Sequence, residues 1–134
     1  DRDTGEIGTI DIEPGAISNF SSFANQGNTT DAEAAAVTIT TTGGMVLVIG
    51  RVSSMSDEAV TIEMRRDAVT PIDLSTFEPS GALDHNDDLL AETGNFLLLD
   101  IDEPAAGEHT YSLVRTTSDV TLRQRKLEAL EIKR

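Results

Sequence analysis

Hydrophobic positions fall into short runs separated by turn-forming residues, the spacing of strands rather than helices. Val60, Ile62 and Met64 alternate with Thr61, Glu63 and Arg65, so one side of this segment faces a core and the other faces water. Met45 to Ile49 is apolar without a break, a pattern expected of a strand covered on both faces. Val37 to Thr42 is dominated by β-branched residues. Asp31 followed by three alanines offers a helical turn just before it, but the β-branched run overrides that start. Val69 to Leu74 reads as a strand that Pro71 confines to a sheet edge. Phe96 to Leu99 continues through Ile101, Tyr111 and Leu113 share one strand face with His109, and Val120 to Arg123 forms another short run. The closing segment is ambiguous: Leu127, Leu130 and Glu131 fit a helix, whereas Leu130 and Ile132 fit a strand with an irregularity near Ala129. The preceding β run and the absence of a cap favour a strand.

Turns separate these runs. Gly43-Gly44, Arg66-Asp67-Ala68, Glu103-Pro104-Ala105-Ala106-Gly107 and Ser118-Asp119 each carry turn chemistry. Seven or eight short strands with turns between them predict an all-β fold, a single antiparallel β-sandwich or jelly roll, over residues 33–134. Residues 1–32, rich in Gly, Ser, Asn, Asp and Thr, read as an extended N-terminal arm or linker. Residues 75–94 show no convincing element and read as a long acidic loop.

Composition narrows the function. The 134 residues carry 24 acidic against 10 basic side chains, a net charge of −14, which argues against a nucleic-acid partner. There is no Cys, which removes disulfides, thiolate metal sites and Cys nucleophiles. No apolar run is long enough to insert in a membrane as a helix, and no signal-like segment opens the chain. The chain begins at Asp1 rather than Met, as a processed chain or a fragment would. Eight of the ten basic residues are Arg and 16 residues are Thr, an acid-rich, lysine-poor balance that suits hydration in concentrated salt, where self-repulsion is screened. Ordinary soluble proteins are also often acidic.

The stretch from Gly44 to Arg134 resembles the small jelly-roll domain at the ends of tailed-virus fibres and related virion spikes, including those of haloarchaeal viruses. The matching features are Gly43-Gly-Met-Val-Leu-Val-Ile49, the strand and hairpin Val60 to Ile72, and Asp102-Glu-Pro-Ala-Ala-Gly-Glu-His-Thr-Tyr-Ser-Leu113. The last resembles a D-x-P-x-x-G-x-x-x-Y-x-L pattern, and Leu127 to Arg134 resembles the closing strand. Ile7 to Ser18 is similar to one unit of an Ile- and Gly-punctuated stalk repeat. The resemblance implies a homotrimeric virion structural protein: a capsid decoration, turret spike or short tail-fibre module. Its arm, through Ile7, Ile10, Ile12 and Ile17, would anchor to other capsid or tail proteins. The sandwich would display loops toward a host cell-surface glycan or protein. Aromatic content of 4% is low for a lone sandwich and fits strands that gain by burying a second face between subunits. The other reading is a secreted carbohydrate-binding or adhesin module on the same sandwich.

Chemistry-bearing residues are few. Asp84, Asn86, Asp87 and Asp88 form the one cluster with metal character, offering oxygen ligands of the kind Ca²⁺ takes, but without the spacing of a calcium hand. No other cofactor is expected. His109 and Ser112 lie three apart on an expected strand and point to opposite faces, and no Gly-x-Ser-x-Gly elbow exists, so no enzyme is expected. Charge is unevenly placed: residues 115–134 carry +3 and residues 1–114 carry −17. Arg115, Arg123, Arg125 and Lys126 are therefore candidates for contact with a subunit or an acidic partner, or for pairing within the chain.

Overall fold

A computed structural model describes residues 17–117 and 119–132. It contains strands β1 (Ile17–Asn25), β2 (Glu33–Thr41), β3 (Met45–Ser56), β4 (Val60–Arg66), β5 (Thr70–Phe77), β6 (Glu92–Asp102), β7 (Gly107–Arg115) and β8 (Leu122–Ile132). They form two four-stranded sheets, in the orders β1-β8-β3-β6 and β2-β7-β4-β5, with every neighbouring pair antiparallel. The chain crosses between sheets at almost every turn, so neighbours in a sheet are far apart in sequence. This is a jelly roll, as the spacing of strands and turns predicts.

Alternation places the core between the sheets. Val46, Val48, Val52, Phe96, Leu98, Leu127 and Ala129 point inward from the first sheet. Val37, Ile39, Val60, Ile62, Met64, Tyr111 and Leu113 meet them from the second. Pro71 lies on β5, an edge strand, where a missing N–H costs no ladder bond.

Four expectations are corrected. Residues 17–25, assigned to the arm, are strand β1, antiparallel to β8, and belong to the sandwich. Ser, Asn and Ala weaken the β signal there, and what holds the segment is the ladder to β8 and the inward Phe23. Residues 75–77 and 92–94 belong to β5 and β6, which shortens the acidic loop to 78–91. Gly94 breaks the apolar pattern, yet it is buried because the Phe77 ring occupies the space of its missing side chain: a Cβ would lie 2.5 Å from that ring. Met45, Leu47 and Ile49 are half-buried on the outward face rather than covered on both sides. In β8 the irregularity lies at Gln124, with φ of 50°, and the strand is regular through Ala129. Leu127, Ala129 and Glu131 point inward, and the buried charge of Glu131 is what disguised the alternation.

Candidate functional site

The sites expected from sequence separate into those the fold uses internally and those it presents. Asp84 closes a turn: its Oδ1 accepts the N–H groups of Asn86 at 2.7 Å and Asp88 at 3.1 Å. Asp87 sits at positive φ in the same turn, which a Leu83–Leu89 bridge closes. Among the described residues no three His, Asp or Glu side chains converge as metal ligands. Ile7, Ile10 and Ile12 lie outside the described residues, and Ile17 opens β1 opposite Ile132.

Two of the four basic candidates for partner contact are occupied within the chain. Arg115 is buried and donates to the carbonyls of Thr30 (3.0 Å) and Asp31 (3.3 Å) and to Asp119 Oδ1 (2.7 Å). Arg125 is buried, donates to the Ala34 carbonyl at 2.7 Å, and stands 5.6 Å above the Phe23 ring. Arg115 therefore ties the β1–β2 connection to the end of β7, and Arg125 ties β8 to the bulged start of β2. Lys126 faces outward, with Glu128 Oε1 3.8 Å away. Arg123 is half-buried and opposes Ser53 across the β3–β8 ladder.

Sequence reasoning missed two internal networks. Glu131 is fully buried; its Oε2 accepts the N–H of Thr42 (2.8 Å), the N–H of Gly44 (2.7 Å) and the Thr42 hydroxyl, while Oε1 accepts Asn19 Nδ2 at 2.9 Å. It binds β1 and the β2–β3 turn to β8, and Gly44 lacks a side chain because a Cβ would lie 2.9 Å from Glu131 Oε2. In the second network Arg66 Nη1 reaches both Asp102 oxygens at 2.8 Å, and Tyr111 donates its hydroxyl to Asp102 at 2.7 Å. Burial and the Asp102 bond push the Tyr111 pKa up, and the Asp102 hydrogen bond raises that of Arg66. The Asp and Tyr of the D-x-P-x-x-G-x-x-x-Y-x-L stretch thus meet across their own turn.

His109 does not meet Ser112. Its Nδ1 lies 2.7 Å from Asp67 Oδ2 and its Nε2 lies 2.7 Å from the Ala105 carbonyl. Both partners are acceptors, so the ring satisfies both only as imidazolium. The Asp67 hydrogen bond raises the His109 pKa. Neither ring nitrogen is free to take a proton from a hydroxyl.

What the fold presents is the outward face of β1-β8-β3-β6. The strand registers place Phe20, Leu130, Leu47 and Ile101 in one row across all four strands. The next row is Ser22, Glu128, Ile49 and Leu99, and the one after it Ala24, Lys126, Arg51 and Leu97. Met45 and Ile132 pair at the far end. Leu97, Leu99 and Ile101 are 65%, 56% and 62% exposed and Phe20 is 57% exposed, a contiguous apolar field of the kind that marks an interaction surface.

No protein-family model matches the sequence, and no curated protein matches it. Solved structures do match in shape. The Eiger TNF of S. frugiperda superposes with a TM-score of 0.65 at 7% identity, over 87% of this chain and 93% of that one. Dimeric latent PorU of Porphyromonas gingivalis matches at a TM-score of 0.44 and 10% identity, over 91% of this chain and 11% of that one. At such identity the likeness to the TNF structure is one of fold alone: both are jelly-roll β-sandwiches.

Proposed function

We propose that this chain is a non-enzymatic assembly and display module that forms a homotrimer through the outward face of β1-β8-β3-β6. The observation that carries the reading is the apolar row Phe20-Leu130-Leu47-Ile101, which crosses the whole sheet. A half-exposed leucine gains on the order of 1 kcal/mol when the rest of its surface is covered, so several such side chains per subunit sustain association. The motif resemblance supports the number three and a place on a virion as a spike or decoration. In that setting Ile7, Ile10 and Ile12 of the arm contact neighbouring virion proteins, and loop 78–91 is displayed to the host. The acidic, lysine-poor surface supports a saline host.

Light scattering on the full chain at about 0.2 M and about 3 M salt tests the reading, since surface charge repulsion is screened between those conditions. A particle three times 14.3 kDa at either salt is expected. A monomer at both salts overturns the proposal.

A further inference from the structure

The apolar field ends in a cleft of about 470 Å³ that runs across β1, β8, β3 and β6 beside the bulge of β8. Its size falls within the range of small-ligand clefts, about 300–1,000 Å³. Its lining differs from the rest of the surface. Arg51 and Lys126 stand directly opposite each other on β3 and β8, both outward. Like charges so placed repel across roughly 5 Å and destabilise a sheet. Among the described residues Arg51 has no ion-pair partner, and Lys126 has only Glu128 at 3.8 Å. Arg125 borders the cleft, but its guanidinium turns inward to the Ala34 carbonyl and the Phe23 ring. In a chain of net charge −14, two outward cations side by side concentrate positive potential where an anion is held.

The other lining groups define what carries the anion. Asn25, Asn95 and Gln124 line the cleft beside the cations. Asn25 Oδ1 accepts the Gly27 N–H and Gln124 Oε1 the Ser53 hydroxyl, which leaves the amide N–H groups to donate to sugar hydroxyls. The bulge holds Gln124 at φ 50°, a left-handed conformation that fixes the backbone at the rim of the cleft. Leu97, 65% exposed, supplies an apolar surface for a ring face. The aromatic residue in the lining, Phe96, is buried in the core, so no platform exists for stacking a nucleobase.

We infer that this cleft binds a carboxylate-bearing saccharide, its carboxylate between Arg51 and Lys126 and its hydroxyls on the Asn25, Asn95 and Gln124 amides. The inference stands on the cleft alone and does not need the trimer, since Arg51 and Lys126 lie two rows along the sheet from Phe20-Leu130-Leu47-Ile101.

The test is a titration of the full chain, followed by NMR or calorimetry, at about 0.1 M salt, where the Debye length is about 10 Å. The probes are trisaccharides ending in glucuronate, galacturonate or N-acetylneuraminate, each with its carboxyl-reduced counterpart. Saturable binding by at least one acidic member is expected, about tenfold weaker for its reduced counterpart, since charge-assisted hydrogen bonds add about 1.5 kcal/mol. Arg51→Gln and Lys126→Gln should each weaken it severalfold, while Arg65→Gln on the opposite sheet changes nothing. Equal binding by acidic and reduced sugars, competition by inorganic phosphate at the same concentration, or no saturation by any probe overturns the inference. Light scattering on the same sample separates the two proposals: a monomer that binds removes the trimer alone, and a trimer that does not bind removes the saccharide site alone.

Discussion

The two sheets of the sandwich have the same strand count and contribute to the same core, yet their outward faces differ in kind. On β2-β7-β4-β5, Thr38 and Thr110 share a hydroxyl hydrogen bond at 2.9 Å, as do Thr61 and Thr76. Arg65 pairs with Glu63 on the same face. Each is a cross-strand or same-face polar pair that a solvated sheet favours. On β1-β8-β3-β6 the outward positions include Phe20, Leu130, Leu47, Ile49, Leu97, Leu99 and Ile101, with Glu128, Lys126 and Arg51 gathered toward one end. Core packing does not explain the difference, because outward residues do not reach the core. An isolated sandwich gains nothing from a field of side chains such as Leu99 and Ile101, 56% and 62% exposed to water. On the other sheet the exposed Leu74 stands opposite Glu63 among polar groups, so the contrast points to something that covers one face and not the other.

The largest effect comes from undoing the support beneath the apolar face. Glu131 receives four hydrogen bonds from Asn19, Thr42 and Gly44 and joins β1 and the β2–β3 turn to β8. Glu131→Ala strands those donors in a buried position and should cost on the order of 3 kcal/mol, read as a lowered midpoint in urea denaturation. A cost below about 0.5 kcal/mol, the range of ordinary surface substitutions, contradicts the role given to this carboxylate. Next in size is a matched pair on the two faces. Leu99→Asp should reduce the solution mass to that of the single chain without loss of the β-type circular dichroism spectrum. Leu74→Asp, at a position 59% exposed on the other face, should leave the mass unchanged. If both substitutions behave alike, the distinction between the faces has no bearing on assembly.

Much of the architecture is legible in the sequence because alternation and turn chemistry are local. The alternating Val60-Ile62-Met64, the unbroken Met45–Ile49 and the turns at Gly43-Gly44 and Pro104–Gly107 each determine an element without reference to the rest of the fold. The hidden parts depend on contacts distant in sequence. Nothing in Ile17–Asn25 announces that β8, more than a hundred residues later, will pair with it. Gly94 is an inward position only because Phe77 fills its space. Glu131 reads as a surface charge until the turn that donates to it is in place. Arg115 and Arg125 illustrate the same limit: the charge asymmetry of the C-terminal segment is real, but two of its cations point inward to backbone carbonyls and leave Lys126 to face outward. The cleft beside Lys126 joins four strands and has no sequence motif of its own.

The smallest expected effect tests the end of the sandwich away from that cleft. Asp67 and Ala68 turn the chain between β4 and β5 with φ of 53° and 68°, a left-handed pair that needs external support. Asp67 supplies it: its N–H donates to the Thr110 carbonyl at 2.7 Å, its Oδ1 accepts the Thr110 N–H at 2.9 Å, and its Oδ2 meets His109. Burial opposes ionisation of Asp67, but the Thr110 and His109 hydrogen bonds prevail and lower its pKa from 3.8. The same bond raises that of His109 above 6.5. A raised histidine pKa means the folded chain holds the proton more tightly than the unfolded one. Its contribution is complete below about pH 6.5 and fades as pH rises through the higher folded value. Asp67 acts in the opposite sense, contributing above about pH 3.8 and losing its effect as pH falls through its lower folded value. With Asp67 45% exposed, the pair contributes less than about 1 kcal/mol. Thermal melts should therefore show a shallow decline in stability from pH 6.5 toward 8 that His109→Gln removes. An unchanged slope in that variant would show that the ion pair at this turn contributes nothing, leaving the backbone bonds of Asp67 and Thr110 as its only support.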